Sequence, residues 1–485
     1  MSSVEMDGMG KRKMHECGAQ QIWQRQIGQL RPRAFVHQMY SSKDLIQRLD
    51  LYAKLEAHNG CVNTVHFNQT GNLLVSGSDD KQVIFWDWSA KTSVFSFHSG
   101  HGSNVFQARI MPFSDDHSVV TCAADGQIRH AQIMDNGRVD TKKLAKHKGR
   151  THKLAIEPGS PHIFYSCGED GVVQHFDLRS HSATKIFTCH TFGGNKLQSP
   201  PPVKLNAIVI DPTNPNYLAV GGSDEYARVY DIRNYNWDAS SNEFCPVDSF
   251  SPQHLIGNDH VHITGLAYSN QGELLVSYND ELIYLFQKGM GLGSNPKLVS
   301  VEKRNESQAP QVYKGHRNNQ TVKGVNFFGP NTEYVVSGSD CGRIFVWKKK
   351  GGELVRLMIG DQNVVNCLEP HPYASILATS GIEKNVKIWA PTADQLIPLP
   401  DNVEEIMEAN RRGREDCSRV CLTPDVIMRV LRLQRRQSQP NVENRYSRAD
   451  FEDENDDDEY VFLDLSDNGN SSEDAHLNPQ ECIIS

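Results

Sequence analysis

The sequence predicts an all-β fold, a single β-propeller of seven blades, from three observations. A turn rich in glycine, serine and aspartate, followed by a strand-like apolar run, recurs seven times. The runs alternate apolar and polar residues with period two, which is typical of strands. The positions that close the seven runs are 45, 45, 54, 56, 61 and 42 residues apart, close to the repeat length of a four-stranded blade. These positions are Trp86, Ala131, Phe176, Tyr230, Phe286, Trp347 and Trp389.

The limits of the propeller follow from the need to close the ring. An open ring would leave backbone groups of its end blades unpaired and available for association. Residues 44–58 alternate and precede the first repeat, so we expect them to form the outer strand of the last blade. The propeller is then predicted to span residues 44–393. Long loops often carry function, and three insertions of this kind are predicted at 189–204, 234–254 and 288–308.

Polar residues recur at fixed places around each turn. In the first repeat they are His58, Ser76, Asp80 and Trp86, with the aspartate six residues before the aromatic residue. A carboxylate at this place can accept hydrogen bonds from turn amides, and the pattern resembles the structural tetrad of WD40 repeats. Because the histidine–aspartate pairs return with the blades, we interpret them as structural rather than catalytic. The sixth and seventh repeats lack the aspartate, which predicts blades held more by packing than by this network.

The N-terminal extension, residues 1–43, contains a predicted helix from residue 18 to Leu30, interrupted by Pro32. Apolar residues recur at helical spacing along it and include Trp23 and Ile27. A helix in front of a closed propeller has little core to join. We therefore expect its apolar face to dock on a partner.

The region after the ring is charged. Residues 394–448 are predicted to be a basic, partly helical region, with an amphipathic helix at 425–437. Residues 449–485 contain 13 Asp or Glu and neither Lys nor Arg, which predicts a disordered acidic tail. The net charge of −9 belongs to this tail, because 46 Asp and Glu remain elsewhere against all 50 Lys and Arg.

Composition excludes several classes of function. An acidic chain is a poor binder of phosphate backbones, so we expect no direct nucleic-acid binding. No apolar stretch reaches the roughly 18 residues that a membrane span needs. The closest cysteine pair, Cys417 and Cys421, has no second half to complete a zinc site, and we predict neither metal nor cofactor.

The most specific signal lies at the ends of the third and fourth repeats. There an aromatic residue is followed by aspartate, one apolar residue and arginine, which places Asp177 with Arg179 and Asp231 with Arg233. An arginine at the end of a third strand projects from the narrow face of the ring, where its planar fork can bind carbonyls or a carboxylate. We call each such run a box.

Two boxes in adjacent blades resemble those of substrate receptors of cullin-4 RING ubiquitin ligases. Several longer runs resemble the DNA damage-binding protein 1 and cullin-4-associated factor 8 family: residues 60–68, 99–108, 147–158, 277–286, 313–330, 335–347, 364–372 and 386–393. The likeness covers the propeller and weakens in both tails. It implies a non-catalytic receptor that docks on the DNA damage-binding protein 1 adaptor, and through it on cullin-4 and a RING subunit, and presents a target for ubiquitination.

The resemblance also assigns roles to residues. It implies that Arg179 and Arg233 contact the adaptor and that the helix with Trp23 and Ile27 helps to grip it. The main alternative is a WD40 scaffold of a chromatin or histone-binding complex without a role in ubiquitination. A propeller enzyme is a third class, which the absence of a separate carboxylate or metal cluster disfavours. Short basic clusters at residues 11–13 and 411–414 predict localisation in both nucleus and cytoplasm.

Overall fold

The computed structural model describes residues 18–180, 182–192, 200–234, 245–296 and 309–419, and the ring it shows is the predicted propeller. Seven antiparallel sheets of four strands each are present. The predicted all-β class and blade number are therefore confirmed. The acidic tail at 449–485 and the helix predicted at 425–437 lie outside the described residues, as do parts of the three insertions.

The first four blades each use four consecutive strands, numbered from the inside of the ring outwards. Blade 1 comprises β2 Val62–Phe67, β3 Leu73–Ser78, β4 Gln82–Asp87 and β5 Thr92–His98; blade 2 comprises β6 Val105–Ile110, β7 Ser118–Ala123, β8 Gln127–Ile133 and β9 Val139–Lys146. Blade 3 comprises β10 Thr151–Ile156, β11 Ile163–Gly168, β12 Val172–Asp177 and β13 Ser182–Thr188; blade 4 comprises β14 Leu205–Ile210, β15 Tyr217–Gly222, β16 Ala227–Asp231 and β17 Asp248–Phe250.

The remaining three blades complete the ring. Blade 5 comprises β18 Ile263–Tyr268, β19 Leu274–Tyr278, β20 Ile283–Phe286 and β21 Gln311–Tyr313; blade 6 comprises β22 Val325–Phe328, β23 Tyr334–Gly338, β24 Arg343–Lys348 and β25 Leu354–Ile359. Blade 7 comprises β26 Val365–Pro370, β27 Leu377–Gly381, β28 Asn385–Ala390 and, from the other end of the chain, β1 Asp50–Glu56.

The ring closes through β1, which pairs antiparallel with β28 and aligns Leu55 with Val386. The outer strand was predicted over residues 44–58 and is shorter than expected. A helix, α3 Lys43–Gln47, precedes it, because Ser42 caps the helix by accepting a hydrogen bond from the Leu45 amide. Ile46 lies on this helix and is fully buried against blades 6 and 7, which favours helix over strand.

The core lies between neighbouring blades rather than in one centre. Every residue of β7 and of β19 is buried, because each middle strand is covered by a blade on both faces. Between blades 7 and 1, Leu55 and Ile388 pack with Val62 and Leu74. Apolar contacts of this kind stabilise the ring in proportion to the area removed from water.

Helices flank the ring at both ends. Within the described residues two helices precede α3, α1 Gly18–Gln26 and α2 Pro32–Tyr40. The sequence predicted one helix up to Leu30; α1 ends earlier, and Pro32 opens a second helix, as proline often does at a first helical position. After the ring, α4 Val403–Arg419 packs on blades 5 and 6 through Val403 and Met407. Among the described helices, none is long and apolar enough to cross a membrane.

The two narrow faces of the ring are distinguished by their turns. Strands alternate in direction within a blade, so the turns after first and third strands share one face and those after second and fourth strands share the other. We call the first the box face, because Arg179 and Arg233 follow third strands β12 and β16. We call the second the tetrad face, because Asp80 follows the second strand β3.

Candidate docking site

In the box of blade 3, the side chains of Asp177 and Arg179 pair with each other on an exposed turn. The guanidinium of Arg179 donates from Nε to Asp177 Oδ1 at 3.0 Å and from Nη2 to Asp177 Oδ2 at 2.9 Å. The Arg179 backbone amide donates to the same Oδ1 at 3.0 Å. The aspartate therefore holds the turn and the arginine together, while 63% of the Arg179 side chain stays exposed.

The box of blade 4 has the same geometry. Arg233 donates from Nε and Nη2 to the two carboxylate oxygens of Asp231 at 3.0 and 2.6 Å, and its amide caps the same carboxylate at 3.0 Å. Its side chain is 60% exposed. Two consecutive blades thus present identically held guanidinium groups on one face.

The apolar residue inside each box anchors the turn to its blade. Leu178 is buried in the core of blade 3, and its amide donates to His162 O at 3.0 Å. Ile232 packs against the core of blade 4, and its amide donates to Asn216 O at 2.9 Å. Each box is therefore fixed to its blade by one side chain and one backbone bond, and its arginine points outwards.

The arginine lowers the pKa of the aspartate in both boxes. In blade 3 the hydrogen bonds from Arg179 lower the pKa of Asp177 to about 2. In blade 4 the hydrogen bonds from Arg233 lower the pKa of Asp231. Both pairs therefore remain ionised throughout the physiological pH range.

The other five blades carry different residues at the box arginine position, which is the third residue after each closing position. These residues are Ser89, Met134, Gly289, Lys350 and Thr392. Of them, only Lys350 is cationic, and lysine cannot form the planar double contact of a guanidinium. The arginine pair is thus a local feature of blades 3 and 4.

The N-terminal helices reach the ring on the box face. Tyr40 O, at the end of α2, accepts a hydrogen bond from Ser375 Oγ of blade 7 at 2.8 Å, and Ser41 O accepts one from Tyr334 Oη of blade 6 at 2.9 Å. Lys43 pairs with Glu353 of blade 6 at 2.7 Å. Each of these blade residues lies in or beside a turn of the box face.

The structure places the two predicted apolar residues of the extension in solvent. Trp23 on α1 is 56% exposed, and Ile27, one residue past the end of α1, is 46% exposed. Their neighbour Ile22 is exposed as well. Large apolar residues grouped in this way are typical of an interaction surface. The end of the extension that contacts the ring lies on the same face as both boxes.

The predicted tetrad of blade 1 forms a buried hydrogen-bonded chain. His58 Nδ1 lies 2.9 Å from Asp80 Oδ2, and His58 Nε2 lies 2.7 Å from Ser76 Oγ. Trp86 Nε1 donates to the same Ser76 Oγ at 2.7 Å. The polar side-chain atoms of the tetrad therefore all have hydrogen-bond partners within the blade, as expected of a structural cluster.

Blades 2 and 3 repeat the contacts of the histidine with an aspartate and a hydroxyl, but Ala131 and Phe176 replace the tryptophan. The later blades depart further from the arrangement. In blade 6, His316 is buried and neither ring nitrogen has a hydrogen-bond partner within the described residues. Trp347 of that blade donates to the backbone oxygen of Lys314 instead. In blade 7, Asp361 and Glu383 accept from turn amides, so a polar network persists there in altered form.

Sequence reasoning missed how blade 4 holds its turn. Arg228, 1% exposed, donates through Nη1 and Nη2 to both oxygens of the turn residue Asp224 at 2.8 and 2.5 Å. Its guanidinium also lies 4.3 Å from the ring centre of Phe192. The signal in the sequence was an arginine four residues after the turn aspartate in a repeat that lacks the histidine.

Other predicted features have structural explanations. The basic cluster at 411–414 lies on α4, where Arg411 pairs with Glu408 and Glu415, and Arg412 with Glu408. Arg414 donates to His316 O and so ties the helix to blade 6. Within the ranges that the structure covers, no three metal-binding side chains come together.

The ring and its repeat define the class of the protein: the chain is a WD40-repeat β-propeller. The family model of the WD domain, G-beta repeat, matches residues 49–87, 307–348 and 352–390. The predicted resemblance is therefore supported at the level of the WD40 repeat. The finer assignment to a factor 8 family remains a prediction.

Several curated proteins are similar to this chain. The chain is 33% identical over 300 residues to DDB1- and CUL4-associated factor 6 of Mus musculus, covering 59% of this chain and 33% of that protein. It is 34% identical over 286 residues to Protein ALTERED SEED GERMINATION 2 of Arabidopsis thaliana, covering 53% and 38%. WD and tetratricopeptide repeats protein 1 of Mus musculus is 23% identical, with 80% and 92% covered. The matches span about a third of the length of the first two relatives.

Proposed function

We propose that this chain is a non-catalytic substrate receptor of a cullin-4 RING ubiquitin ligase, docking on the DNA damage-binding protein 1 adaptor through its box face. The observation that carries the proposal is the pair of identically held arginines, Arg179 and Arg233, in consecutive blades. The name of the factor 6 relative, a DDB1- and CUL4-associated factor, supports the same reading.

The geometry of a box suits it to contact a protein backbone. A guanidinium has five N–H donors, and the aspartate of each box accepts two of them. Three donors of Arg179 thus face outwards, already oriented by Asp177, to meet carbonyl or carboxylate oxygens of the adaptor. Because the aspartate fixes the side chain beforehand, little rotamer entropy is lost on binding.

The extension supplies the apolar part of the same interface. Trp23 and Ile27 would be buried on docking, and aromatic residues with arginine are the residue types that dominate protein interfaces. The tetrad face and the insertion at 189–204 then remain for the target, because that insertion leaves the ring between a fourth and a first strand. Ubiquitin transfer would take place on the conjugating enzyme bound to the RING subunit.

The docking proposal is tested with the full chain and purified adaptor. We expect Arg179→Ala/Arg233→Ala to weaken adaptor binding by a factor of 10 or more, since arginine is enriched among the interface residues whose truncation costs more than about 1 kcal/mol. The matched control, Lys348→Ala/Lys350→Ala, removes two cations from the same face without removing a box. Undiminished adaptor binding by the arginine double variant, measured by calorimetry, would refute the box assignment.

A second pair of substitutions tests the extension separately. Trp23→Ala/Ile27→Ala should weaken adaptor binding and leave the melting temperature unchanged, because both side chains are exposed in the free chain. Val94→Ala, an exposed apolar residue on the outer strand β5, is the control and should bind as the wild type does. Equal affinity of all three proteins would remove the extension from the interface.

The alternative, a histone-binding scaffold without a ligase, predicts a different result from the same purification. A scaffold of that kind would retain histones and fail to bind the adaptor at all, with or without its arginines. The box arrangement gives no separate support to this alternative.

A further inference from the structure

A cavity of about 230 Å³ opens on the box face between blades 4 and 5. It is smaller than the roughly 300–1,000 Å³ of pockets for drug-sized ligands, so its size suits a single side chain. Aromatic rings and carboxylates line it together: Tyr217, Phe250, Tyr268, Phe286, Asp211 and Asp248.

The cavity adjoins the box of blade 4. Tyr217 lines the cavity and is the strand partner of Asp231, the aspartate that holds Arg233. The floor is formed by Phe250 and Phe286, which are buried and lie 5.5 Å apart between ring centres. Arg233 and the opening of the cavity therefore lie on neighbouring parts of the box face.

The two carboxylates of the cavity are held in place by uncharged donors. Asp211 Oδ1 accepts from the amide and hydroxyl of Thr213 at 2.8 and 2.7 Å. Asp248 Oδ1 accepts from the amides of Ser249 and Gly293 at 2.9 and 2.8 Å. Neither aspartate forms an ion pair with any residue in the described part of the chain. Both acids lie near Tyr268, whose pKa is raised by burial and then by these two charges.

We propose that this cavity binds the side chain of a lysine or arginine presented by a protein docked on the box face. The aliphatic stem of such a side chain would pack on the aromatic walls, and its cation would meet Asp211 and Asp248. Aromatic faces also attract cations through their ring quadrupoles. Among the described residues that line the cavity, Lys288, exposed at the opening, is the one cation against the two aspartates.

The cavity can be tested with side-chain analogues and the full chain, without any partner protein. The probes are n-butylammonium and n-butylguanidinium, with uncharged 1-butanol as the reference, titrated by saturation-transfer NMR. We expect at least one cation to bind about tenfold tighter than butanol. Asp248→Asn should weaken cation binding about fivefold, and Lys288→Gln should strengthen it about twofold, because exposed charge pairs are worth at most about 1 kcal/mol.

The variants are chosen to keep the fold. Asparagine retains the oxygen that caps Ser249 and Gly293, and Lys288 is exposed. Asp135→Asn, which removes an exposed acid from the box face in blade 2, is the matched control and should leave binding unchanged. Equal binding of cations and butanol, or an identical response of Asp248→Asn and wild type, would overturn the proposal. Neither result depends on the adaptor, so failure here is distinguishable from failure of the docking proposal.

Discussion

The tetrad of blade 1 and the box of blade 3 are built from similar hydrogen bonds around an aspartate. The tetrad stabilises the fold, whereas the box is available to another molecule. In each cluster, an aspartate beside a turn accepts a hydrogen bond from the backbone amide two residues later. The same aspartate also contacts a nitrogen-bearing side chain, which is His58 in the tetrad and Arg179 in the box. The tetrad histidine has no exposed side-chain surface, and the box arginine is largely in solvent.

The difference shows that burial decides what a polar cluster does. A buried hydrogen bond stabilises the fold chiefly because its loss leaves a desolvated partner unsatisfied. An exposed ion pair contributes little to stability and leaves its donors available to another molecule. Tetrad substitutions should therefore reduce stability, and box substitutions should reduce binding alone.

The largest loss of stability is expected from a substitution of Trp86, the aromatic member of the tetrad. Trp86 is buried between blades 7 and 1, and Trp86→Ala should lower the free energy of unfolding by about 3–5 kcal/mol, since the large cavity cannot collapse fully. Urea unfolding followed by circular dichroism measures this. A loss below about 1 kcal/mol would mean that blade 1 contributes little to the cooperative unit.

A smaller loss is expected at the hub of the tetrad. Ser76→Ala removes the oxygen that both His58 Nε2 and Trp86 Nε1 contact, and should cost about 1–3 kcal/mol. Ser96→Ala, on the exposed outer strand of the same blade, is the control and should be neutral. Equal effects of the two substitutions would show that the tetrad bonds add nothing to stability.

In blade 6, the histidine at the tetrad position lacks its usual partners among the described residues. Its effect on stability can therefore be tested by changing the pH. Burial, with Arg414 and Lys323 nearby, lowers the pKa of His316 to about 3 from 6.5. The folded state thus favours neutral His316, so its contribution is complete above pH 6.5 and is lost as the pH falls towards 3. His316→Phe should lose less stability between pH 7.5 and 5 than wild type, measured by urea midpoints. An identical pH dependence would contradict the assignment.

The smallest effect on stability is expected at the boxes. Arg179→Ala/Arg233→Ala should leave the urea midpoint of the free chain unchanged, because both side chains are exposed. The same double variant is expected to lose the adaptor. A clear fall in stability would place the boxes with the tetrads and erase the distinction between the two clusters.

The sequence was sufficient for the ring because its signal is repeated. The six-residue spacing from Asp80 to Trp86 returns in blades 2 to 5, and the Asp-x-Arg pattern occurs in blades 3 and 4. Each copy supports the others, so seven blades and both boxes could be predicted without coordinates. Ring closure through the N-terminal strand followed from the alternating pattern before the first repeat and from the need to pair the end blades.

Features that depend on contacts across the chain were not predictable. The apolar residues of α3 fit a strand as well as a helix, and only their packing under blades 6 and 7 decides between them. In blade 4, Arg228 binds Asp224 where other blades use a histidine, and no pattern shared by the repeats predicts this contact. The cavity beside Arg233 arises where two blades meet, so its lining residues come from separate segments.

Closure through β1 also constrains the order of events during synthesis. The strand Asp50–Glu56 leaves the ribosome before any blade, yet its partner Asn385–Ala390 is made after all of the others. Until then β1 has an unpaired edge, and the growing arc ends in an unpaired strand of its own. Blade 7, and with it the closed ring, can therefore be completed only after the whole propeller sequence has been made.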